Sequence, residues 1–189
     1  MNCSHMIALA DVGIPMITIE WPVMLLALGP VIVLEALLIR RWVSLSYRDA
    51  FKGITWANVL STLVGVPLAW LIMLGVQLAV FLPLGLAADK WHWNLDAPVL
   101  QVIAVMASSV YVYGSKSPDW IIPSGIAVLL VPCFFLSVWI ESKVCFRTWK
   151  TLDREAVRRG VYRSNLASYL ALFILACGWV FYEFITGKH

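Results

Sequence analysis

Residues 30–41 read PVIVLEALLIRR, an apolar run that contains one carboxylate and ends in two arginines. An ionisable residue inside a membrane span is costly, and it usually faces the interior of a helical bundle. The same pattern returns in residues 136–147, which read LSVWIESKVCFR. The two stretches therefore predict two membrane helices, each with a buried acid, Glu35 and Glu141.

The composition of the whole chain is typical of an integral membrane protein. Of its 189 residues, 61% are hydrophobic and 13% are charged, whereas soluble domains are about 45–50% apolar and about 25% charged. About 20 residues are needed to cross roughly 30 Å of hydrocarbon. Four apolar stretches meet that length, so we expect an all-α membrane bundle with four spans, at residues 21–39, 54–86, 121–140 and 161–185.

The positive charges predict the topology. Of the 14 Lys and Arg, eleven lie in residues 40–52 and 143–163, and cytoplasmic loops carry the Lys/Arg excess. We therefore expect both basic segments inside and both termini outside, with the bacterial inner membrane as the default location. The connections between the spans are expected to be too long for tight turns.

The chain is predicted to divide into four segments. The stretch 98–113 is short for a span, and if it crossed the membrane the two basic segments would fall on opposite sides. It is therefore expected to be a re-entrant or interfacial helix on the outer side, and a fifth span is the alternative. The segments are an extracytoplasmic start (1–20), a first membrane hairpin (21–86) with a basic cytoplasmic loop (40–53), an extracytoplasmic excursion (87–120) and a second membrane hairpin (121–189) with a basic cytoplasmic segment (142–160).

A short sequence frame occurs twice. Residues 52–61 read KGITWANVLS and residues 159–168 read RGVYRSNLAS, at an offset of 107. Each follows one of the two acid-containing spans. We interpret this as an internal duplication of a helical hairpin. Because both basic segments are expected inside, the two hairpins are predicted to be parallel, related by an axis along the membrane normal.

The repeated polar residues form the candidate intramembrane site. Asn and Ser three residues apart share one helix face, and each acid precedes the Asn of its frame by 23 or 24 residues. We expect each acid to accept a hydrogen bond from its own Asn, which would hold the hairpin together. Ion or proton coordination and the docking of a partner's helix are the alternatives. The set is Glu35, Asn58, Ser61, Glu141, Asn165 and Ser168.

Basic residues at the inner ends of the spans are expected to contact anionic lipid headgroups. Residues 153–163 carry arginines at helical spacing, which suggests an amphipathic helix in the inner interface. A nucleic-acid partner is not expected, because the basic runs are short and lack interleaved stacking aromatics. The predicted lipid contacts are Arg40, Arg41, Arg154, Arg158 and Arg159.

Sequence signatures of catalysis are absent from the chain. There is no H-E-x-x-H, no G-x-S-x-G and no Gly-rich phosphate loop. The three histidines lie outside the apolar spans, so a haem held by two imidazoles within the membrane is excluded. The four cysteines form no C-x-x-C pair. We therefore expect no catalytic residue, no metal and no cofactor.

Two function classes remain. The first is an accessory, scaffold or assembly subunit that acts through helix contacts within a larger membrane assembly. Under either class the expected partners are the lipid bilayer and other membrane subunits or further copies of the chain. The alternative is a small oligomeric channel or transporter for an ion or proton, which would use the repeated Glu, Asn and Ser residues. Charge-neutral replacement of Glu35 by Gln separates the two, because only the alternative requires its charge.

Overall fold

Four long helices account for most of the structure, a computed structural model that describes residues 14–91, 111–112 and 121–186. Each helix contains a stretch long and apolar enough to cross a membrane. The predicted all-helical fold is thereby confirmed, and the four helices are compatible with the predicted multi-pass membrane protein. The elements in chain order are β1 (Ile14–Pro15), α1 (Met16–Trp42), α2 (Tyr47–Trp91), β2 (Tyr111–Val112), α3 (Ile121–Thr148) and α4 (Arg154–Thr186).

The helices extend beyond the apolar runs that predict them. α1 continues through both arginines to Trp42, and α4 begins at Arg154, inside the basic segment. The connections are consequently short, residues 43–46 and 149–153, so the expectation of longer connections was wrong. The physical reason is that hydropathy identifies only the part of a helix that lies within the hydrocarbon. Arg and Lys are good helix formers, so the backbone hydrogen bonds of the helix continue through them. The start of α4 is therefore not a separate interfacial helix.

The second apolar stretch is a single helix. Thirty-three apolar residues are long for one span, but α2 runs unbroken for 45 residues, through Pro67 and Pro83. At 1.5 Å per residue it is about 68 Å long, which exceeds the hydrocarbon thickness. Its membrane-compatible part is Tyr47–Ala79.

Matching side chains cap α2 and α4. The amide of Asp49 donates to Ser46 Oγ at 3.1 Å, and Ser46 Oγ in turn donates to Asp49 Oδ2 at 2.7 Å. Asp153 Oδ2 accepts from the amide of Ala156 at 3.0 Å. Such caps satisfy backbone donors that have no partner within the helix. Ser46 and Asp153 are 107 residues apart, the offset of the repeated frame.

The helices form a closed ring. α1 and α3 each pack against both α2 and α4, whereas α1 and α3 barely touch each other. Val43 of the first connection and Trp149 of the second belong to one buried cluster, against which Leu45 and Leu152 also pack. Both connections therefore lie at one end of the bundle, here called the basic end. The opposite end is called the far end.

The buried apolar core lies towards the basic end and depends on small residues. Among its members are Ala36, Ala50, Ala57 and Cys145, all fully buried. Small residues let helix backbones approach closely where lipid gives no hydrophobic driving force. Burial declines along α4, because six of its seven buried residues lie at or before Ser168.

A two-residue antiparallel ladder joins β1 to β2, with Ile14 opposite Val112 and Pro15 opposite Tyr111. Tyr111 and Val112 fall at the end of the predicted re-entrant helix, residues 98–113, and are strand instead. Aromatic and β-branched residues favour strands, which accounts for this correction. Residues 98–110 and residue 113 lie outside the described residues, as does most of the predicted excursion.

Candidate functional site

The six predicted polar residues meet in the bundle interior. They come from all four helices, and none is more than 4% exposed. They lie close together because the two acids are near the ends of α1 and α3, and the repeated frames are near the starts of α2 and α4. All four of these helix ends are at the basic end of the bundle. The six are Glu35 on α1, Asn58 and Ser61 on α2, Glu141 on α3, and Asn165 and Ser168 on α4.

Each acid accepts a hydrogen bond from the Asn of its own hairpin, as expected. Asn58 Nδ2 donates to Glu35 Oε2 at 2.7 Å, and Asn165 Nδ2 donates to Glu141 Oε2 at 2.7 Å. Each amide nitrogen also donates to the carbonyl oxygen four residues earlier in its helix, at 3.2 and 3.1 Å. These second bonds fix the orientation of both amides.

The two serines contact the acid of the other hairpin, which the repeated frame alone does not predict. Ser168 Oγ donates to Glu35 Oε1 at 2.5 Å, and Ser61 Oγ donates to Glu141 Oε1 at 2.9 Å. The matching positions of the serines in the two frames were the available signal. The sequence does not show which helix packs beside which in the bundle, and these bonds depend on that packing.

The four hydrogen bonds together form a closed ring. Each of the four carboxylate oxygens accepts one bond from an Asn amide or a Ser hydroxyl. Each adjacent pair of helices is joined by one bond: α1 to α2, α2 to α3, α3 to α4 and α4 to α1. Positions related by an offset of 106 or 107 make the same bond with equivalent partners.

The electrostatics of the ring are unusual because it contains two acids and no base. Within the described residues, neither Glu35 nor Glu141 makes an ion pair. A carboxyl group removed from water needs hydrogen-bond donors or a counter-charge. Here the donors are all neutral and all belong to the chain.

A small cavity borders the ring on its far side. Its volume is about 50 Å³, which is enough for water. Asn58 and Ser61 line it, together with Ser137 and Tyr169, whose hydroxyl oxygens are 2.7 Å apart. Asn165 Oδ1 is also buried nearby in the ring and has no hydrogen-bond partner among the described residues. The interior therefore retains some unused polar capacity.

The arginines predicted to contact lipid lie at the basic end. Arg158 pairs with Glu155 at 2.8 Å, with both side chains at least half exposed, so the pair contributes little to stability. Arg40 lies 5.5 Å from the ring centre of Tyr47. The five are Arg40, Arg41, Arg154, Arg158 and Arg159.

Comparisons of the chain with protein-family models, with curated proteins and with solved structures find no match. Among the described residues, no group of three or more His, Cys, Asp and Glu side chains is placed to hold a metal ion. What the chain does is therefore inferred from the geometry of the buried hydrogen-bonded ring and of the outer helix surfaces.

Proposed function

We propose that the chain is an accessory, scaffold or assembly subunit that acts through helix contacts within the membrane. The observation that carries the proposal is that the ring uses all four carboxylate oxygens on donors of the same chain. Polar groups used in this way hold helices in fixed positions. Interhelical hydrogen bonds in bilayers contribute about 0.6–1.7 kcal/mol each, so four contribute about 2–7 kcal/mol.

The surface available for a partner is the far half of α4. Its side chains are large, apolar and mostly aromatic, and the five most exposed ones near its end are 62–69% exposed. Membrane helices associate by van der Waals packing and hydrogen bonds rather than by a hydrophobic driving force. We call this surface the far face of α4, and its residues are Leu175, Phe181, Tyr182, Phe184 and Ile185.

The proposal includes the duplication and the orientation. The matched hydrogen bonds and the matched caps at Ser46 and Asp153 support two parallel hairpins. The basic end is placed inside and both termini outside, because of the Lys/Arg excess there. A re-entrant or interfacial helix between the hairpins remains part of the proposal for residues 98–110.

Site-specific photo-crosslinking tests the proposed partner surface. A photoreactive residue at Phe181 should yield one specific adduct with another membrane protein. Phe135 on α3 is the matched control, because it is the same residue type and is 65% exposed, against 66% for Phe181. Crosslinks to lipid alone at both positions would contradict the proposal.

A channel or transporter for an ion or proton is the second candidate. The observations that favour it are the unpartnered Asn165 Oδ1 and the cavity beside Asn58. Two buried acids without a base can be neutralised by a proton or by a small cation, either of which would be the transported species. Under this candidate, Glu35→Gln or Glu141→Gln abolishes flux in proteoliposomes, and full flux in both variants would end it.

A further inference from the structure

A groove at the basic end has the chemistry of a lipid-headgroup site. It lies between the first turns of α2 and the connection from α3 to α4, and its volume is about 400 Å³. We propose that it binds one phospholipid whose headgroup carries a primary ammonium, with the phosphate towards Lys52 and the ammonium towards Asp49. None of these side chains belongs to the buried ring.

The two charges of the groove match the two charges of such a headgroup. Asp49 and Lys52 are three residues apart on α2, hence on one face, and no ion pair joins them in the described structure. One carboxylate oxygen of Asp49 accepts from Ser46. An acid beside the cation disfavours a purely anionic ligand, and a zwitterion satisfies both groups.

An independent observation is a buried donor that has no acceptor. Trp149 lines the groove and is only 7% exposed, yet its Nε1–H has no partner among the described residues. Leaving a buried N–H without an acceptor is unfavourable. The N–H lies against Gly53 of α2, so a phosphate or ester oxygen in the groove, beside the hydroxyl groups of Thr148 and Thr151, would accept from it after a small shift of the indole.

The matching place on the other hairpin is filled by the chain itself. Positions 56 and 148 correspond to 163 and 42 at the offsets of the repeated frame. There the guanidinium of Arg163 lies on the ring of Trp42, at 4.2 Å from its centre. Trp56 has no such protein cation over it among the described residues and is 59% exposed. Position 56 corresponds to the cation of that pair and position 148 to its aromatic ring, so Trp56 and Thr148 form no such stack and both line the open groove.

The source of the ligand is taken to be the bilayer. The groove borders the start of the membrane-compatible part of α2, at the level where headgroups meet the ends of spans. Leu45 and Leu152 add apolar lining beside its charges. A phospholipid can occupy both the polar and the apolar parts, whereas a free phosphate can occupy only the former.

Native mass spectrometry of the delipidated full chain in mild detergent tests the site. The protein is titrated separately with dioleoyl phosphatidylethanolamine and with dioleoyl phosphatidylglycerol. We expect one tight phosphatidylethanolamine per chain, weakened about fivefold or more by Lys52→Gln. The control is Lys143→Gln, because Lys143 on α3 lies outside the groove, with its ammonium 3.6 Å from the ring centre of Trp139, and this change should leave the affinity unchanged.

Further variants separate the halves of the headgroup. Asp49→Asn should remove the preference for phosphatidylethanolamine, while Thr151→Val should weaken both lipids about twofold. Equal losses of lipid affinity in Lys52→Gln and Lys143→Gln would overturn the proposal. Equal or tighter binding of phosphatidylglycerol by the unaltered chain would also overturn it. If Lys52→Gln fails to fold, the lipid affinities of Asp49→Asn and Thr151→Val still test whether the groove binds the headgroup.

Discussion

Ser168 on α4 donates its hydroxyl hydrogen to Oε1 of Glu35 on α1, a residue 133 positions earlier in the chain. The equivalent serine of the first hairpin makes the same contact with the acid of the second. Each hairpin therefore supplies a donor that the other one needs. A single hairpin would leave its acid with half of its hydrogen bonds, so the two are expected to fold as one unit.

Glu35→Ala and Glu35→Gln should differ in stability. Alanine removes the acceptor of Asn58 and leaves a void, at a cost of about 2–3 kcal/mol. Glutamine keeps an acceptor for Asn58 and can donate to Ser168, whose hydroxyl can then donate to the carbonyl oxygen of Asn165, 3.0 Å away. Its cost should be below about 1 kcal/mol, as measured by unfolding in nanodiscs.

The control for this comparison is Leu166→Ala, a change on the outer surface of α4, where Leu166 is 46% exposed. It should have little effect on unfolding. If Glu35→Ala proves as mild as Leu166→Ala, the ring does not stabilise the bundle, and the proposed rigid scaffold loses its basis.

Double-mutant cycles should detect the bonds between the hairpins. We expect a coupling of about 0.6–1.7 kcal/mol between Ser168 and Glu35, and a similar value between Ser61 and Glu141. The cross pair Ser168 and Glu141 shares no direct bond and should couple more weakly. A cross-pair coupling as large as the other two would contradict the bonding pattern, whatever the single variants do.

Glycine substitutions should distinguish the two close approaches of the helices. A Cβ on Gly53 would lie within 3.0 Å of two ring atoms of Trp149, whereas one on Gly160 would meet two apolar side chains at 3.1 Å. We expect Gly53→Ala to cost about 2–3 kcal/mol and Gly160→Ala about 1 kcal/mol. A Cβ on Gly178 would meet nothing within 4 Å among the described residues, so Gly178→Ala should cause no loss in the same unfolding assay.

Cysteine labelling should place the two short connections on one side of the membrane. In a Cys3→Ser background, Ser44→Cys and Thr151→Cys should react with an impermeant reagent only after the membrane is opened from the cytoplasmic side. Reaction of both in intact cells would reverse the proposed orientation. Reaction of one alone would contradict the common basic end itself.

The bonds within each hairpin could be predicted because they depend on local information. The spacing from Glu35 to Asn58 recurs, within one residue, from Glu141 to Asn165, and a helical hairpin brings such positions together. The serine bonds could not be predicted, because they depend on which helix lies beside which around the ring. Only the packing of α4 against α1 brings Ser168 to Glu35.

The helix ends were predicted less well than the helices themselves. Hydropathy falls at Arg40, yet α1 continues to Trp42, and α4 begins at Arg154, well before its apolar run. The caps at Ser46 and Asp153 mark the true starts of α2 and α4. Ser and Asp are favoured capping residues, so a search for caps beside each basic segment would have found both short connections.

The central claim is that a rigid bundle works by presenting α4 to another membrane protein. Its most direct test is native mass spectrometry of the full chain, extracted from its own membrane in lipid nanodiscs. The account predicts a stoichiometric foreign subunit that is lost in Phe181→Ala, kept in Phe135→Ala and kept in Glu35→Gln. A homo-oligomer with no other protein bound would contradict it and favour the channel or transporter.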